Sequence, residues 1–246
     1  MRFLVLTLLL LGSVFARPAE AETTITVVAD EWPPFSGETL PNKGLSIDVI
    51  TTVLERAGYS VQSEILPWGR IMDGARRGEY DIIGSLFLDE ELQQFMTYSR
   101  PYFETRVKFV RRVGKTHTYS DLNSLRPYKI AVGEGFLYES GFDAADYLDK
   151  LSVTTTLQGL RMVAANRVDL TLDSEHVIEF LLQSDAPELT SLIEFIEPPI
   201  ASREIHMAVR NSLPNQDKVV ADFNEELQNL IDDGSLQQLL KRHVAQ

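Results

Sequence analysis

Residues 78–102 read G-E-Y-D-I-I-G-S-L-F-L-D-E-E-L-Q-Q-F-M-T-Y-S-R-P-Y. A turn signal at Gly78 precedes an apolar run, Ile82, Ile83 and Leu86, of strand length. Three acids, Asp89, Glu90 and Glu91, then stand ahead of a short helical pattern at Leu92, Phe95 and Met96. The stretch closes on Tyr98-Ser99-Arg100-Pro101-Tyr102, where Pro101 imposes an extended path. A buried strand that runs into a polar, aromatic-rich loop is a common way to present side chains to a ligand.

Upstream of this stretch, strand and helix signals alternate. Residues 24–29 (T-I-T-V-V-A) are β-rich and stop at Trp32-Pro33-Pro34-Phe35, where two prolines stiffen the loop. Ile50, Val53, Leu54 and Ala57 repeat at helical spacing, with Ser46 placed to cap the helix and Gly58 to end it. Residues 59–66 read as a second strand, and Pro67-Trp68-Gly69-Arg70 leads into a short helix that ends near Gly78. This order predicts an α/β fold with mostly parallel sheets and helices on both faces. In such sheets ligands sit beyond the carboxyl ends of the strands, and residues 30–35, 67–70 and 85–89 all fall there.

Downstream, the chain runs extended through Val107, Phe109 and Val110 and leaves for a second unit near residues 111–115. A new alternation follows: a strand over 129–132, a helix after Gly135, a β-rich 153–156, a helix around 160–164, a strand over 168–172 and a helix over 174–182. Residues 193–196 are extended, Pro198-Pro199 mark a second connection, and 205–209 form a last strand. Phe223, Leu227, Leu230 and Ile231 make a strong helical stripe that ends at Gly234, before a short final helix.

The 246-residue chain carries 23 basic and 36 acidic side chains, a formal net charge of −13. That balance speaks against nucleic acid or an anionic membrane as a partner. Residues 1–21 read as a cleaved secretory signal: Arg2, an apolar core over 3–11, and cleavage after Ala16 or Ala21. The apolar run falls short of the ~20 residues that span a bilayer. The expected location is therefore the periplasm. No cysteine is present, which excludes disulfides, thiol catalysis, Cys-based zinc sites and a lipid anchor on an amino-terminal Cys.

Four local motifs, in order, resemble the family 3 extracytoplasmic solute-binding proteins, receptors of polar amino-acid uptake systems. They are W-P-P-F (32–35) with G-L-S-I-D-V (44–49), P-W-G-R-I-M-D-G-A-R-R-G-E-Y-D (67–81), Y-S-R-P-Y (98–102) and D-F-N-E-E-L-Q-N-L-I-D-D-G-S-L-Q-Q-L-L-K-R (222–242). The resemblance implies a two-lobe periplasmic-binding-protein-like fold (type II) with two crossings and a ligand cleft that closes by hinge bending. It places one lobe at 22–108 plus 200–246 and the other at 109–199. A small-molecule ligand, a membrane permease or sensor as partner, a monomeric state and no cofactor or metal are expected.

The amino-acid binders of that family place an arginine after the third strand to pair with the ligand carboxylate, a task suited to a planar guanidinium fork. The corresponding position here is Leu92. A Ser or Thr that follows a glycine in the second lobe corresponds to Phe136, after Gly135. Both anchors are absent, so an α-amino acid held in the usual way is not expected. The family's ammonium-binding acid corresponds to Asp173, which is equally well placed to cap a helix.

Trp32, Phe35, Trp68 and Phe136 are candidates to line an aromatic cleft, with Phe35 as readily a core residue. Arg70 is the substitute anchor for an anion, or else a solvated surface arginine. Ser85 and Phe87 lie where the family contacts ligand, with Asp89 beside them. Glu134 reads as solvent-facing, and Arg100 and Arg106 as hinge-strand ion-pair formers.

Enzymatic signatures are weak. His117, His176, His206 and His243 show no metal-ligand spacing. There is no G-x-S-x-G elbow and no phosphate loop, and Gly133-x-Gly135 lacks the third glycine of a dinucleotide fingerprint. The acids at 89–91 suit an exposed helix start better than acid/base work. The expectation is a binding protein for uptake or sensing, not an enzyme. The alternative is an exported dehydratase acting on prephenate or arogenate, a type that resembles this family.

Overall fold

The computed structural model describes residues 24–244, so the signal segment expected over 1–21 lies outside the described residues. In chain order the first elements are β1 (Thr24–Ala29), α1 (Leu45–Arg56), β2 (Ser60–Ile65), α2 (Trp68–Arg77), β3 (Ile82–Leu86), β4 (Met96–Tyr98) and the long β5 (Phe103–Arg112). Next come β6 (Lys129–Gly133), α3 (Ser140–Asp143), β7 (Asp149–Val153), α4 (Thr156–Ala164), β8 (Leu170–Ser174), α5 (Glu175–Ser184) and β9 (Ile193–Phe195). The equally long β10 (Ala201–Arg210) then leads to α6 (Gln216–Asp232) and α7 (Ser235–Val244).

These elements build a two-lobe α/β fold. In the first lobe β1 pairs in parallel with β2 (Thr24 opposite Ser60) and with β3 (Val27 opposite Ile82). Val27, Val28 and Ala29 are all buried, as expected of a strand covered on both faces. One face carries α1, α6 and α7, which bury Ile50, Val53, Phe223, Leu227 and Leu230. On the other, Ile71 and Ala75 of α2 pack with Leu66, Leu86, Leu92 and Met96.

The second lobe repeats the scheme, with β6 parallel to both β7 and β8. One of its cores gathers Phe109, Tyr138, Phe142 and Leu172, and the other gathers Leu160, Val163, Ile178 and Ile193. Where the lobes meet, β5 and β10 run antiparallel, from Val107 opposite Ala201 to Phe103 opposite Ile205. The whole is one continuous sheet in the order β2-β1-β3-β10-β5-β8-β6-β7.

Two features at the junction matter below. Lys108 and Glu175 form a buried ion pair (2.9 Å), which Arg106 joins from the solvent side at 2.7 Å and Glu197 at 2.6 Å. Helix α5 divides its loyalties: Val177 is buried in the core around α1 and α6, and the next residue, Ile178, in the core that α4 shares with β6, β7 and β9.

Most expected elements are present, with instructive shifts. Ser46 does not cap α1. The N–H groups of Leu45 and Ser46 are taken by the carbonyls of Pro34 (3.0 Å) and Phe35 (2.8 Å), so the W-P-P-F loop closes the helix start and no side-chain cap is needed. The helix expected directly after Gly135 begins only at Ser140 and lasts one turn. The pattern at Leu92, Phe95 and Met96 is a single turn over Leu92–Gln94, because Met96 is drawn into pairing with Arg210 of β10.

Candidate functional site

The first-lobe wall begins in the loop after β1. The Trp32 carbonyl accepts hydrogen bonds from the N–H groups of Phe35 (2.9 Å) and Ser36 (3.1 Å), which folds W-P-P-F into a tight turn. The Trp32 ring lies 4.5 Å from that of Phe35 and meets Phe87 edge-on at 5.1 Å. Phe35, expected among the cleft residues, is 0 % exposed, in contact with the rings of Trp32, Phe103 and His176. It therefore supports the wall without forming its surface. The indole Nε1 of Trp32 is buried and has no hydrogen-bond partner among the described residues.

Phe87 owes its position to an irregularity in β3. Ile83 pairs with Ala208 and Leu86 with His206, so β3 carries one residue more than β10 over this interval. Within it Ser85 takes a left-handed conformation (φ 58°). A bulge of this kind bends and twists a strand end and re-aims the side chains after it. The buried Ser85 donates its N–H to the Tyr102 hydroxyl (3.2 Å), and the hydroxyls of Ser46 and Ser85 lie beside the same phenol.

Leu92 is fully buried among Leu66, Ile71 and Met96. Asp89 caps this turn by accepting the Leu92 N–H at 2.9 Å, and Glu91 pairs with Arg76. The acidic cluster thus serves the helix start, and Leu92 belongs to the core.

The second-lobe wall is the turn after β6 and the end of β8. Gly135 has φ 76°, and a Cβ at Gly133 would strike the Phe136 ring at 2.9 Å, so the turn depends on glycine at both positions. The Gly133 N–H reaches the Tyr138 hydroxyl (2.7 Å), and Phe136 stacks on Tyr138 with 45 % of its surface exposed. Asp173 is buried at the end of β8. One carboxylate oxygen accepts the Ser174 N–H (2.7 Å) and the other the Thr156 hydroxyl. Burial pushes its pKa up to about 6 against the pull of those two hydrogen bonds. Asp173 is thus not the side-chain cap of α5; it ties β8 to the first residue of α4.

Arg203 of β10 joins the two walls, and nothing in the motif reading singled it out. Its guanidinium lies 4.6 Å from the Phe87 ring centre and donates to the Tyr138 carbonyl at 3.2 Å. The available signal was strand alternation, which puts Arg203 on the same side as the buried Ile205 and Met207.

Trp32, Ser85 and Phe87 therefore share one wall, and Phe136 and Asp173 the other. Trp68, 41 % exposed, opens α2 outside this chain of ring contacts, and Arg70 is exposed on the same helix. Arg106 is committed to Glu175 at the junction. A separate groove of about 270 Å³ runs between the Pro34–Pro41 side and helices α5 and α7, lined by His176, Glu179, Arg242 and His243, and shares none of the wall residues.

Comparison with known proteins agrees with this architecture. Residues 25–246 match the family described as bacterial extracellular solute-binding proteins, family 3. No curated protein sequence matches the chain. Among solved structures, a histidine kinase sensor domain with similarity to periplasmic binding proteins superposes with a TM-score of 0.72 at 19% identity, covering 91% of this chain and 96% of that one. A P235GK mutant of ArgBP from T. maritima gives 0.71 at 16% identity, with 91% and 96% covered. The ancestral amino acid-binding protein AncCDT-1, a precursor of cyclohexadienyl dehydratase, gives 0.68 at 17% identity, with 90% and 95% covered.

Proposed function

The chain belongs to the bacterial extracellular solute-binding proteins, family 3, and from that premise we propose that it is an exported receptor for a small polar or aromatic-bearing molecule. The ligand is captured between the two walls, and the loaded protein serves an ABC-type permease or a membrane sensor. The lobes are residues 22–108 plus 200–246, and residues 109–199. The signal segment at 1–21 directs the chain to the periplasm, where it works as a monomer.

The observation that carries this reading is the meeting of Trp32, Phe87 and Arg203 with the Gly133–Tyr138 turn across the junction of the lobes. Aromatic faces and a few fixed polar groups at the ends of parallel strands are what a small-molecule cleft requires. The interior position of Leu92 argues against an α-amino acid held by the family's arginine. A ligand that binds the closed form better shifts the population toward it and raises thermal stability by mass action.

Thermal shift over amino acids, amines, organic acids and short peptides tests the reading. One chemical class should stabilise the wild type and lose its effect in Phe87→Ala. A strong shift from an ordinary α-amino acid would overturn the interpretation of Leu92. The likeness to a dehydratase precursor keeps one rival in view, and turnover of prephenate that disappears in Asp173→Asn would establish it.

A further inference from the structure

We propose that Arg203 is the anion anchor of this cleft, and that the ligand it holds is an aromatic carboxylate. The proposal rests on the solute-binding reading above and names the ligand class for that site.

A carboxylate needs donors, and position 92 supplies none, since Leu92 is sealed in the core. Arg203 lies at the place where the lobes cross, opposite Thr105 of β5. Its Nη1 donates to the Tyr138 carbonyl (3.2 Å) while the guanidinium lies over the Phe87 ring. An arginine has five N–H donors, and among the described residues this is the one hydrogen bond recorded for the Arg203 side chain. None of the described ion pairs includes it. Glu139 feels its charge, but that carboxylate is occupied mainly by the backbone N–H groups of Gly141 and Phe142. A guanidinium with free N–H edges and no carboxylate of its own is suited to a bidentate pair with a ligand acid.

A second observation points the same way. The Trp32 indole N–H, which can only donate, is buried without a partner, and its ring abuts the same Phe87. Leaving such a donor unmade is costly unless a ligand acceptor completes it. Phe87 therefore contacts both groups, the Trp32 ring at 5.1 Å and the Arg203 guanidinium at 4.6 Å. An aromatic face with donors beside it fits an aryl group carrying acceptor oxygens. It does not fit an ammonium, which Arg203 repels. Asp173, the acid that would attract an amine, already accepts from Thr156 and Ser174.

The test uses three matched probes, phenylacetate, phenylacetamide and phenethylamine, by thermal shift and titration calorimetry. The wild type should bind phenylacetate and discriminate against the amide and the amine. Arg203→Gln should weaken phenylacetate by about tenfold or more and abolish the preference for acid over amide. Arg203→Lys, which keeps the charge and loses the fork, should fall between. The unliganded melting temperatures of both variants report separately on folding, and Trp32→Phe, which removes the N–H together with one ring of the indole, should weaken phenylacetate by several-fold. Undiminished phenylacetate binding by Arg203→Gln overturns the proposal, as does preference for the amine or no response to phenylacetate. If the amine binds and Phe87→Ala abolishes that binding, the anchor falls while the cleft stands. Probe binding that survives Phe87→Ala and Trp32→Ala unchanged overturns the cleft itself.

Discussion

The two walls of the cleft are built on opposite plans. The first-lobe wall is made by packing: Trp32 rests on the buried Phe35, Phe87 is aimed by a bulge, and Leu92 fills the core behind. The second-lobe wall is a glycine turn whose tip, Phe136 and Leu137, is largely exposed, and whose acid is held by hydrogen bonds. One wall is ordered before any ligand arrives. The other has little apolar support at its tip and is free to adjust, since local mobility follows low burial. On the proposed reading, preorganisation on one side would limit the entropy lost on capture, and compliance on the other would permit closure.

Substitutions can break this contrast, and the largest effect is expected at Leu92. Leu92→Arg should destabilise the protein by about 4 kcal/mol or more, because a charge would enter an apolar core without a partner. A shift of the urea midpoint measures it. A stable variant that gained amino-acid binding would show that the site is plastic and the first wall less rigid than argued. Phe35→Ala should cost about 3–5 kcal/mol by leaving a cavity under Trp32.

Asp173 supplies the middle of the series through pH. Its folded-state pKa, about 6, lies above the ordinary 3.8, so the folded protein holds the proton more tightly than the unfolded chain. The resulting stabilisation is fully present below pH ~4 and is lost as pH rises through ~6, a swing of about 3 kcal/mol at most. The stability of wild type relative to Asp173→Asn should therefore decline across that window and level off above it. A flat difference between the two pH–stability curves would mean that the second wall is wetter than its burial indicates. The smallest effect belongs to Phe136→Ala, expected to cost under about 1 kcal/mol because nearly half of the ring is already in water. A loss of 3 kcal/mol there, in the same urea titration, would erase the contrast between the walls.

Sequence patterns carried the architecture further than the site. The repeated strand–helix order, the glycine stops and the long stripe of α6 each reflect a local rule, and local rules survive folding. The start of α1 departs from the expected Ser46 cap because its orphan N–H groups are met by a loop eleven residues upstream, a contact no local pattern contains. Phe35 and Trp32 look alike in W-P-P-F, and only the turn decides which is buried. Leu92 was legible as a missing cation, but its replacement was not. Arg203 sits on the part of β10 that precedes the strand expected over 205–209, and its relation to Phe87 and Tyr138 exists only after three separate segments converge. Arg70, which the sequence offers equally as a substitute anchor and as a solvated surface arginine, is exposed on α2.

Helix α5 has a mechanical consequence. With Val177 seated in one lobe and Ile178 in the other, it can follow neither lobe completely without uncovering an apolar side chain. It is therefore placed to act as a bearing in any hinge motion: small sliding at the axle, with the swing expressed at the far ends of the lobes. Arg203, at the strand crossing and in contact with both walls, sits close to that axle, so a small displacement of its contacts corresponds to a large swing at the far ends of the lobes.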